Sequence, residues 1–306
     1  MKRKKSLKAA IKQQIPGFAF ILPGFLFIVV YMGYPIFRTL YLSFTSYNFA
    51  FDFYPTWAGF ANYLSLFRDD HFIAALRNTT VFTLVFFPSV LIIALIFALL
   101  LDTHIKGANF FRTCIFLPVI VPLALTGVIF QWILHDNFGI LNWFLADILR
   151  LGSLTRNWLG EPFWAMASII LVSLWKNIGI LMVMFMAGLQ AIPNEIIEAS
   201  YVDGANARQR IFRIILPNIK DSYVICGIWA IIQSIKVFEQ PFVMTGGGPG
   251  TATLVLYQYT WLNAFRFFEM GSASAIAYFM GVIILVLSAI NMYINRSDDA
   301  KEGKKS

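Results

Sequence analysis

Charged and amide side chains interrupt two long apolar runs of the sequence, and they are the residues best suited to handling a polar solute. Lys176 stands in one run, and Gln233, Lys236, Glu239 and Gln240 stand in or just after another. A charge at membrane depth costs roughly 2.5 to 3.5 kcal/mol on insertion, so such residues usually face a cavity or a partner. One interpretation is a polar path for a hydroxyl-rich solute, lined by all five residues.

A second interpretation gives the same residues a purely structural role. Residues 233–240 would then be a helix end near the outer lipid headgroups, with Lys236 and Glu239 paired one turn apart. Lys176 would neutralise an acidic side chain of a neighbouring helix. The sequence leaves both interpretations open.

A glycine-rich stretch, T-G-G-G-P-G at residues 245–250, is the part of the chain that invites comparison with a nucleotide-binding loop. A phosphate-binding loop needs G-x-x-x-x-G-K-[ST], in which backbone amides and a lysine grip the phosphates. Around the Gly303-Lys304 pair, Asp298 stands at the first glycine position and Lys305 at the Ser/Thr position. We therefore predict no ATP site and no cofactor in this chain.

The sequence also lacks the residue groupings of a metal site or an enzyme. His71, His104 and His135 lie in separate polar loops without the spacing of metal ligands. No nucleophile elbow and no convergent acid–base set is found. We therefore predict that this chain has no metal site and no catalytic role.

The composition identifies lipid as the solvent of the elements that carry these residues. Of 306 residues, 58% are hydrophobic and 13% charged, and the mean hydropathy is +0.69. A soluble domain of this length cannot bury that much apolar surface. Within a bilayer only helices and closed barrels satisfy the backbone, and long continuous apolar runs favour helices.

The predicted fold class is therefore an all-α polytopic membrane protein with six transmembrane helices. The predicted spans are residues 18–42, 81–101, 111–134, 163–189, 223–235 and 270–294. The fifth is the weakest, because apolar character resumes only at residues 242–244. Pro118 and Pro122, one turn apart in the third span, should kink it.

The distribution of basic residues predicts the orientation. The predicted outer segments carry only Arg38, Arg68, Arg77, Arg150, Arg156 and Arg266. The other basic residues outside the spans cluster in segments that then face the cytoplasm. Both termini are predicted to be cytoplasmic. The chain divides into a basic segment 1–17, a transmembrane domain 18–294 with a cytoplasmic loop 191–220, and a tail 295–306. Because the net charge of +8 lies beside span ends, we predict contact with membrane lipid and no nucleic-acid binding.

The loop 191–220 has the pattern of two short helices joined by a corner. Asn194 is a suitable N-cap for a helix through Tyr201, Gly204 breaks that helix, and Pro217 ends a second one. Small residues at positions 199, 200 and 204 would let another protein approach the backbone closely. The alternative is an amphipathic connector that lies in the headgroups. The residues alone do not decide between these two.

The same loop resembles the E-A-A…G…I-x-L-P motif of the membrane subunits of binding-protein-dependent ABC importers. The match reads Glu198-Ala199-Ser200, three residues, Gly204, nine residues, Ile214, one residue and Leu216-Pro217. Asp203, Ala205 and Phe212 also match the version of the motif found in sugar permeases. Ser200 stands where the family usually has a second alanine. Residues 238–253 and Asn78-Thr79 are also similar to the sugar permeases, in the subtype of the larger maltose-type and glycerol-phosphate-type partner.

The resemblance implies a type I ABC importer permease fold in the bacterial cytoplasmic (inner) membrane, and a role for each part of the loop. The residues implied to dock on an ATPase subunit are Glu198, Ala199, Ser200, Asp203, Gly204 and Ala205. The residues implied to support the loop are Phe212, Ile214, Leu216 and Pro217. The implied partners are a second permease subunit in a heterodimer, two ATP-binding subunits that hold ATP and Mg, and an extracytoplasmic solute-binding protein.

The function implied by the resemblance is ATP-driven import of a carbohydrate, with this chain forming half of the translocation pathway. Sugars, oligosaccharides and glycerol-phosphate-like solutes all fit. The alternative function is a self-sufficient ion-coupled carrier or channel. Such a protein needs its own coupling-ion site, usually carboxylates within spans, and Glu239 is the only candidate in the sequence.

Overall fold

The computed structural model describes residues 20–102 and 107–296, and the predicted basic segment 1–17 lies outside them. Five helices of the described chain are long and apolar enough to cross a membrane: Phe20–Ser43, Asp70–Asp102, Pro162–Gln190, Lys220–Thr245 and Met270–Asn295. A further crossing is the pair Ala108–Ile120 and Leu123–Ile133, bent by 100°. Numbered in chain order, the bent pair is the third span.

The all-α polytopic fold is confirmed, and the six predicted spans correspond to these five helices and the bent pair. The second span begins at Asp70 instead of residue 81, because its polar first turns continue the same helix as its apolar part. The side of the membrane on which each terminus lies stays a prediction.

Two of the spans are broken. In the third, Val121 and Pro122 are extended, with ψ near 130° and 138°, so the helix stops at Ile120 and restarts at Leu123. The fifth span consists of Lys220–Ile235 and Glu239–Thr245. Its second part has Pro241 in the first turn, where a helix does not need the missing N–H.

The main core forms where the second, fourth and fifth spans meet. Phe82 and Phe86 of the second span stack at 5.2 Å between ring centroids, and Leu181 and Phe185 of the fourth are fully buried. In the most apolar stretch of the fourth span 61% of residues are buried, against 0% in the first. The second half of the first span packs on the sixth, and the exposed apolar side chains of the first span are left to lipid or to another chain.

Short elements connect the spans. Between the first and second lie the antiparallel strands Thr45–Ser46 and Thr56–Trp57, then the helix Ala61–Leu66. Between the third and fourth lie Ile140–Trp143, a π-helical turn Phe144–Ile148 and a 3-10 turn Gly152–Leu154. Between the fourth and fifth lie Asn194–Val202, Ala207–Arg210, a π-helical turn Ile211–Ile215 and Leu216–Asn218. The helix Leu256–Phe265 precedes the sixth span, and a π-helical turn Val29–Gly33 lies within the first.

Candidate functional site

A polar cavity of about 390 Å³ lies where the breaks of the third and fifth spans face the fourth span. All five intramembrane polar residues singled out by the sequence line it: Lys176, Gln233, Lys236, Glu239 and Gln240. The rest of the lining is Phe82, Phe86, residues 119–123, Ser173, Asn177, Trp229 and Val237. The structure therefore brings together residues that lie up to 64 positions apart in the sequence.

Both breaks line this cavity, through residues 119–123 of the third span and residues 236 and 237 of the fifth. Beyond the break, Leu123–Ile133 packs on Glu239–Thr245 of the fifth span. The approach is close at Gly127, where an added Cβ would lie 2.8 Å from the Cβ of Val243. The segments beyond both breaks thus form one packed pair at the edge of the cavity.

Lys176 is buried, with 6% of its surface exposed, and its charge is met by backbone carbonyls. Its ammonium donates to the oxygens of Pro118 at 2.7 Å and Val119 at 3.0 Å, and also to that of Val121. The interpretation in which Lys176 neutralises an acidic side chain finds no such partner among the described residues. The break in the third span supplies free carbonyl oxygens instead.

Lys236 and Glu239 do not form the pair that the structural interpretation assigns to them. The ion pair found between described residues joins His135 to Asp136, and none joins Lys236 to Glu239. The reason is the break itself: the helix ends at Ile235 and restarts at Glu239, so the two side chains are not one turn apart on a continuous helix. Each side chain is left able to face a solute.

Gln240 and Asn177 offer amide groups to the cavity. Gln240 is 3% exposed, yet its side chain takes part in none of the hydrogen bonds found among the described residues. Asn177 uses its amide nitrogen on the Ser173 carbonyl, which leaves its amide oxygen available. With a lysine, a carboxylate and the Trp229 ring nearby, the cavity can donate to and accept from hydroxyl groups.

Sequence reasoning missed Ser173, Asn177 and Trp229 as lining residues. Helical spacing could have found them. Ser173 stands three residues before Lys176, Asn177 stands four after Ser173, and Trp229 stands four before Gln233. Residues three or four apart share one face of a helix, so a polar residue known to face a cavity indicates its neighbours.

The loop after the fourth span is a helix, a corner and a second helix, as predicted. The first helix is Asn194–Val202, and Gly204 has a φ of +73°, a conformation that favours glycine. The backbone N–H of Ala205 donates to the Ser200 carbonyl at 3.0 Å and closes the corner.

The second helix starts with a capping box, in which Asn206 and Gln209 exchange side-chain and backbone hydrogen bonds, each 2.9 Å long. Two boundary predictions are corrected. The N-cap position of the first helix is taken by Pro193, and Asn194 makes no capping bond as its first residue. The second helix runs one residue past Pro217, to Asn218, because the proline occupies the first turn of its last segment, where its ring is tolerated.

The residues predicted for docking differ in exposure. Glu198, Ala199, Asp203 and Gly204 are exposed, and Ala205 is half-buried. Ser200 is buried, with 3% exposed, and its hydroxyl donates to the Ile197 carbonyl at 2.6 Å. Ser200 therefore faces the inside of this chain.

The loop also presents features that the motif does not name. Val202 is 88% exposed at the corner, and the Arg210 guanidinium lies 3.9 Å from the ring centroid of Tyr201. Arg210 donates to the Ala205 carbonyl at 2.9 Å as well, so it connects both helices to the corner. Of the predicted supporting residues, Ile214 and Leu216 are half-buried, whereas Phe212 and Pro217 are exposed.

The glycine-rich turn is closed by hydrogen bonds to itself and to the second span. Thr253 shares a bond of 2.6 Å with Thr245, and Asn78 donates to the carbonyls of Thr251 and Leu254 at 2.7 and 2.9 Å. The Leu256 N–H donates to the Thr79 hydroxyl, at 2.9 Å. Asn78-Thr79 and residues 245–253, two stretches that both resemble the sugar permeases in sequence, thus form one structural unit.

The helix that follows this turn is fixed to the start of the second span. The Tyr259 hydroxyl, at the outer end predicted from the charge pattern, donates to the Asp69 carboxylate. Burial, together with this hydrogen bond, raises the pKa of Tyr259 to about 12.

Fold and site together define a class of protein: a helical, multi-span membrane protein with a polar cavity between two broken spans. Two of the spans that line the cavity, the fourth and fifth, also carry the exposed loop at their joined ends.

Similarity to known proteins narrows this class. Residues 90–297 match the family described as the binding-protein-dependent transport system inner membrane component. The permease protein SmoG of the sulfoquinovosyl glycerol transport system of Agrobacterium fabrum is 35% identical, over 90% of this chain and 89% of that protein. The lactose transport system permease protein LacF of Rhizobium radiobacter is 32% identical, over 92% of this chain and 94% of that protein.

The fold is shared with solved transporters. A chain in the crystal structure of a bacterial alginate ABC transporter, in complex with an alginate pentasaccharide-bound periplasmic protein, superposes with a TM-score of 0.82. It is 21% identical, and the match covers 96% of this chain and 98% of that one. The protein belongs to the family of binding-protein-dependent transport system inner membrane components. The resemblance seen in the loop, the type I permease fold and the multi-pass inner-membrane location are thereby confirmed.

Proposed function

We propose that this chain is a permease subunit of an ATP-driven carbohydrate importer and that the polar cavity is part of the solute path. The observation that carries the proposal is the cavity, in which amide, ammonium and carboxylate groups from the fourth and fifth spans meet at membrane depth. Such groups are costly there unless they serve a polar ligand or a partner. Support for a carbohydrate comes from relatives whose names refer to sulfoquinovosyl glycerol and lactose.

The loop 191–220 is proposed to dock on a cytoplasmic ATPase subunit. Exposed Glu198, Ala199, Asp203 and Gly204 offer a surface with little side-chain bulk, and Val202 adds an apolar tip. The fourth span leads from this loop to Lys176, and the fifth leads from it to Gln233. A displacement of the loop would therefore move two walls of the cavity together.

The remaining components follow from this assignment. A second permease subunit would supply the other half of the path, and two ATP-binding subunits would hold ATP and Mg and perform hydrolysis. An extracytoplasmic binding protein would deliver the solute. This chain would itself carry out no chemistry.

The test is uptake into proteoliposomes. The chain is reconstituted alone, and together with the second permease, the ATPase subunits and the binding protein encoded with it. Labelled carbohydrate should accumulate only in the complete system, and only when ATP is present on the ATPase side. The Walker-lysine variant of the ATPase is the matched control and should abolish uptake without changing assembly.

An ion-coupled carrier is the competing function, and one observation favours it: Glu239 lines the cavity and forms no ion pair with any described residue. A carrier would take up solute with this chain alone, driven by a proton or sodium gradient, and Glu239→Gln would remove the ion dependence. Gradient-driven uptake by the isolated chain would refute the importer proposal.

A further inference from the structure

The bent third span is held by a side chain of the fourth, and we propose that Lys176 is the positioning residue that fixes this wall of the cavity. The role differs from solute binding, for which the sequence alone made Lys176 a candidate. The inference deepens the proposed function, and it depends on that function only for its effect on uptake.

The break leaves carbonyl oxygens without their usual donors. Pro122 has no N–H to give to the Pro118 oxygen, and the backbone bond found to that oxygen among the described residues is one of 3.2 Å from the Val121 N–H. Among the described residues, no backbone N–H is found to donate to the oxygens of Val119 or Val121. A buried carbonyl left without a partner costs about 1 to 3 kcal/mol, so an unaided break would be unstable in lipid.

Lys176 supplies the hydrogen-bond donors that these carbonyl oxygens lack. An ammonium group has three donors, and here three carbonyl oxygens accept them, from Pro118, Val119 and Val121. The C-terminal end of Ala108–Ile120 also carries the negative end of the helix dipole, which favours a cation there. With all three protons engaged, Lys176 has none left for a solute.

A second contact, one turn further along, places the same two spans in register. A Cβ at Gly179 would lie 2.5 Å from the Ile115 carbonyl oxygen and 2.9 Å from the Phe116 Cα. The fourth span thus meets the backbone of the third at Gly179 and secures its end at Lys176. The contact at Gly179 fixes the helix before the break, whereas Lys176 is the residue that engages the break itself.

Loss of Lys176 should therefore let the break relax and displace residues 119–123, which line the cavity. The matched control is Lys236, the other lysine that lines the cavity, because the side-chain bonds found from described residues to the break all come from Lys176. Lys176→Met removes charge and donors at similar length. Lys176→Arg keeps both, and Lys176→Gln keeps two donors without the charge.

The measurement is the distance across the bend in the full-length chain in nanodiscs. Nitroxide labels replace Phe110 and Trp132, which are 68% and 66% exposed, in a background with Cys114→Ser and Cys226→Ala. With a rise of about 1.5 Å per residue, the two positions lie about 20 Å apart at the observed bend of 100°. Relaxation to a bend of about 50° would separate them by about 30 Å on the same geometry.

We expect a shift toward longer distances, by up to about 10 Å on that geometry, in Lys176→Met. Lys176→Gln should shift partly, which keeps the test valid if the methionine variant is lost from the membrane, and Lys176→Arg should stay close to the parent. Lys236→Met should leave the distance unchanged. Identical distances for the parent and both the methionine and glutamine variants would overturn the inference, as would an equal shift in Lys236→Met.

Uptake separates this inference from the proposed function. In the complete transporter, Lys176→Met should lower ATP-dependent uptake several-fold and Lys176→Arg should recover most of it. Parent-level uptake with a relaxed bend would overturn the claim that this wall must be fixed. A shifted distance with no ATP-driven uptake even in the parent would refute the proposed function and leave the role of Lys176 at the break supported.

Discussion

Replacing Gly204 tests whether the corner of the loop transmits force between the ATPase and the cavity. Gly204 has a φ of +73°, and a Cβ added there would meet nothing within 4 Å. The cost of a side chain is therefore conformational and does not come from a clash inside this chain. Asparagine tolerates the left-handed region better than alanine, and β-branched valine tolerates it least.

The magnitude follows from the backbone. A non-glycine residue in this region costs roughly 1 to 2 kcal/mol, which corresponds to about a 5- to 30-fold loss in the population of the correct corner. Relaxation of the corner would also weaken the bonds from Gly204 to Tyr201, at 3.1 Å, and from Ala205 to Ser200, at 3.0 Å. We expect coupled activity to fall in the order Gly, Asn, Ala, Val.

The assay measures three quantities on the assembled transporter: solute uptake, solute-stimulated ATP hydrolysis, and the amount of ATPase that copurifies with the chain. Uptake and stimulated hydrolysis should fall together, while the membrane yield of the chain stays constant. Gly152→Ala is the matched control, since a Cβ also has open space there but the backbone is not in the left-handed region.

Two results would refute the reasoning. Full coupling in Gly204→Val with normal yield would show that the corner does not need this conformation. Equal loss in Gly204→Asn and Gly204→Val would show that contact with the partner, and not backbone conformation, demands glycine.

Three further substitutions test other contacts. Arg210→Ala removes the cation–π contact with Tyr201 and should weaken binding of the ATPase by about 1 kcal/mol, or roughly fivefold, measured as the amount of ATPase that copurifies. Unchanged copurification would contradict the role of Arg210 in connecting the two helices of the loop. Asn78→Asp replaces a donor to two carbonyls by an acceptor and should cost about 2 kcal/mol, measured as a lower thermal unfolding midpoint in detergent; an unchanged midpoint would refute it. In Gly188→Ala the new Cβ would lie 2.1 Å from the Ser222 hydroxyl, so the free energy of unfolding should fall by about 1 to 3 kcal/mol, measured as a lower thermal unfolding midpoint in detergent. Adding Ser222→Gly should restore the midpoint, and a double variant no more stable than the single one would rule out this contact.

Much of the cavity could be predicted because intramembrane polarity is expensive. That cost alone identified Lys176, Gln233, Lys236, Glu239 and Gln240 as candidates for one polar path, and the structure brings all five to one cavity. The kink expected from Pro118 and Pro122 is also present, as a bend of 100°.

What sequence reasoning could not supply was the partner of each charge. The structural interpretation gave Lys176 an acidic partner, because backbone carbonyl oxygens carry no residue identity and become free to accept from a side chain only where a helix breaks. The same omission produced the expected pairing of Lys236 with Glu239, which assumed a continuous helix. Both errors come from the three-dimensional course of the backbone, which residue spacing along an assumed helix does not contain.

The fourth and fifth spans connect the loop to the cavity over nearly equal distances. From Lys176 to Gln190 the fourth span rises about 21 Å, and from Lys220 to Gln233 the fifth rises about 20 Å. The two helices touch beside the loop at Gly188 and Ser222, so a tilt imposed on one is imposed on the other. A shared tilt of about 10° would move the cavity ends by on the order of 3 to 4 Å, more than the length of a hydrogen bond. A small movement at the loop is therefore enough to make or break contacts with a solute, provided that the corner at Gly204 does not absorb it.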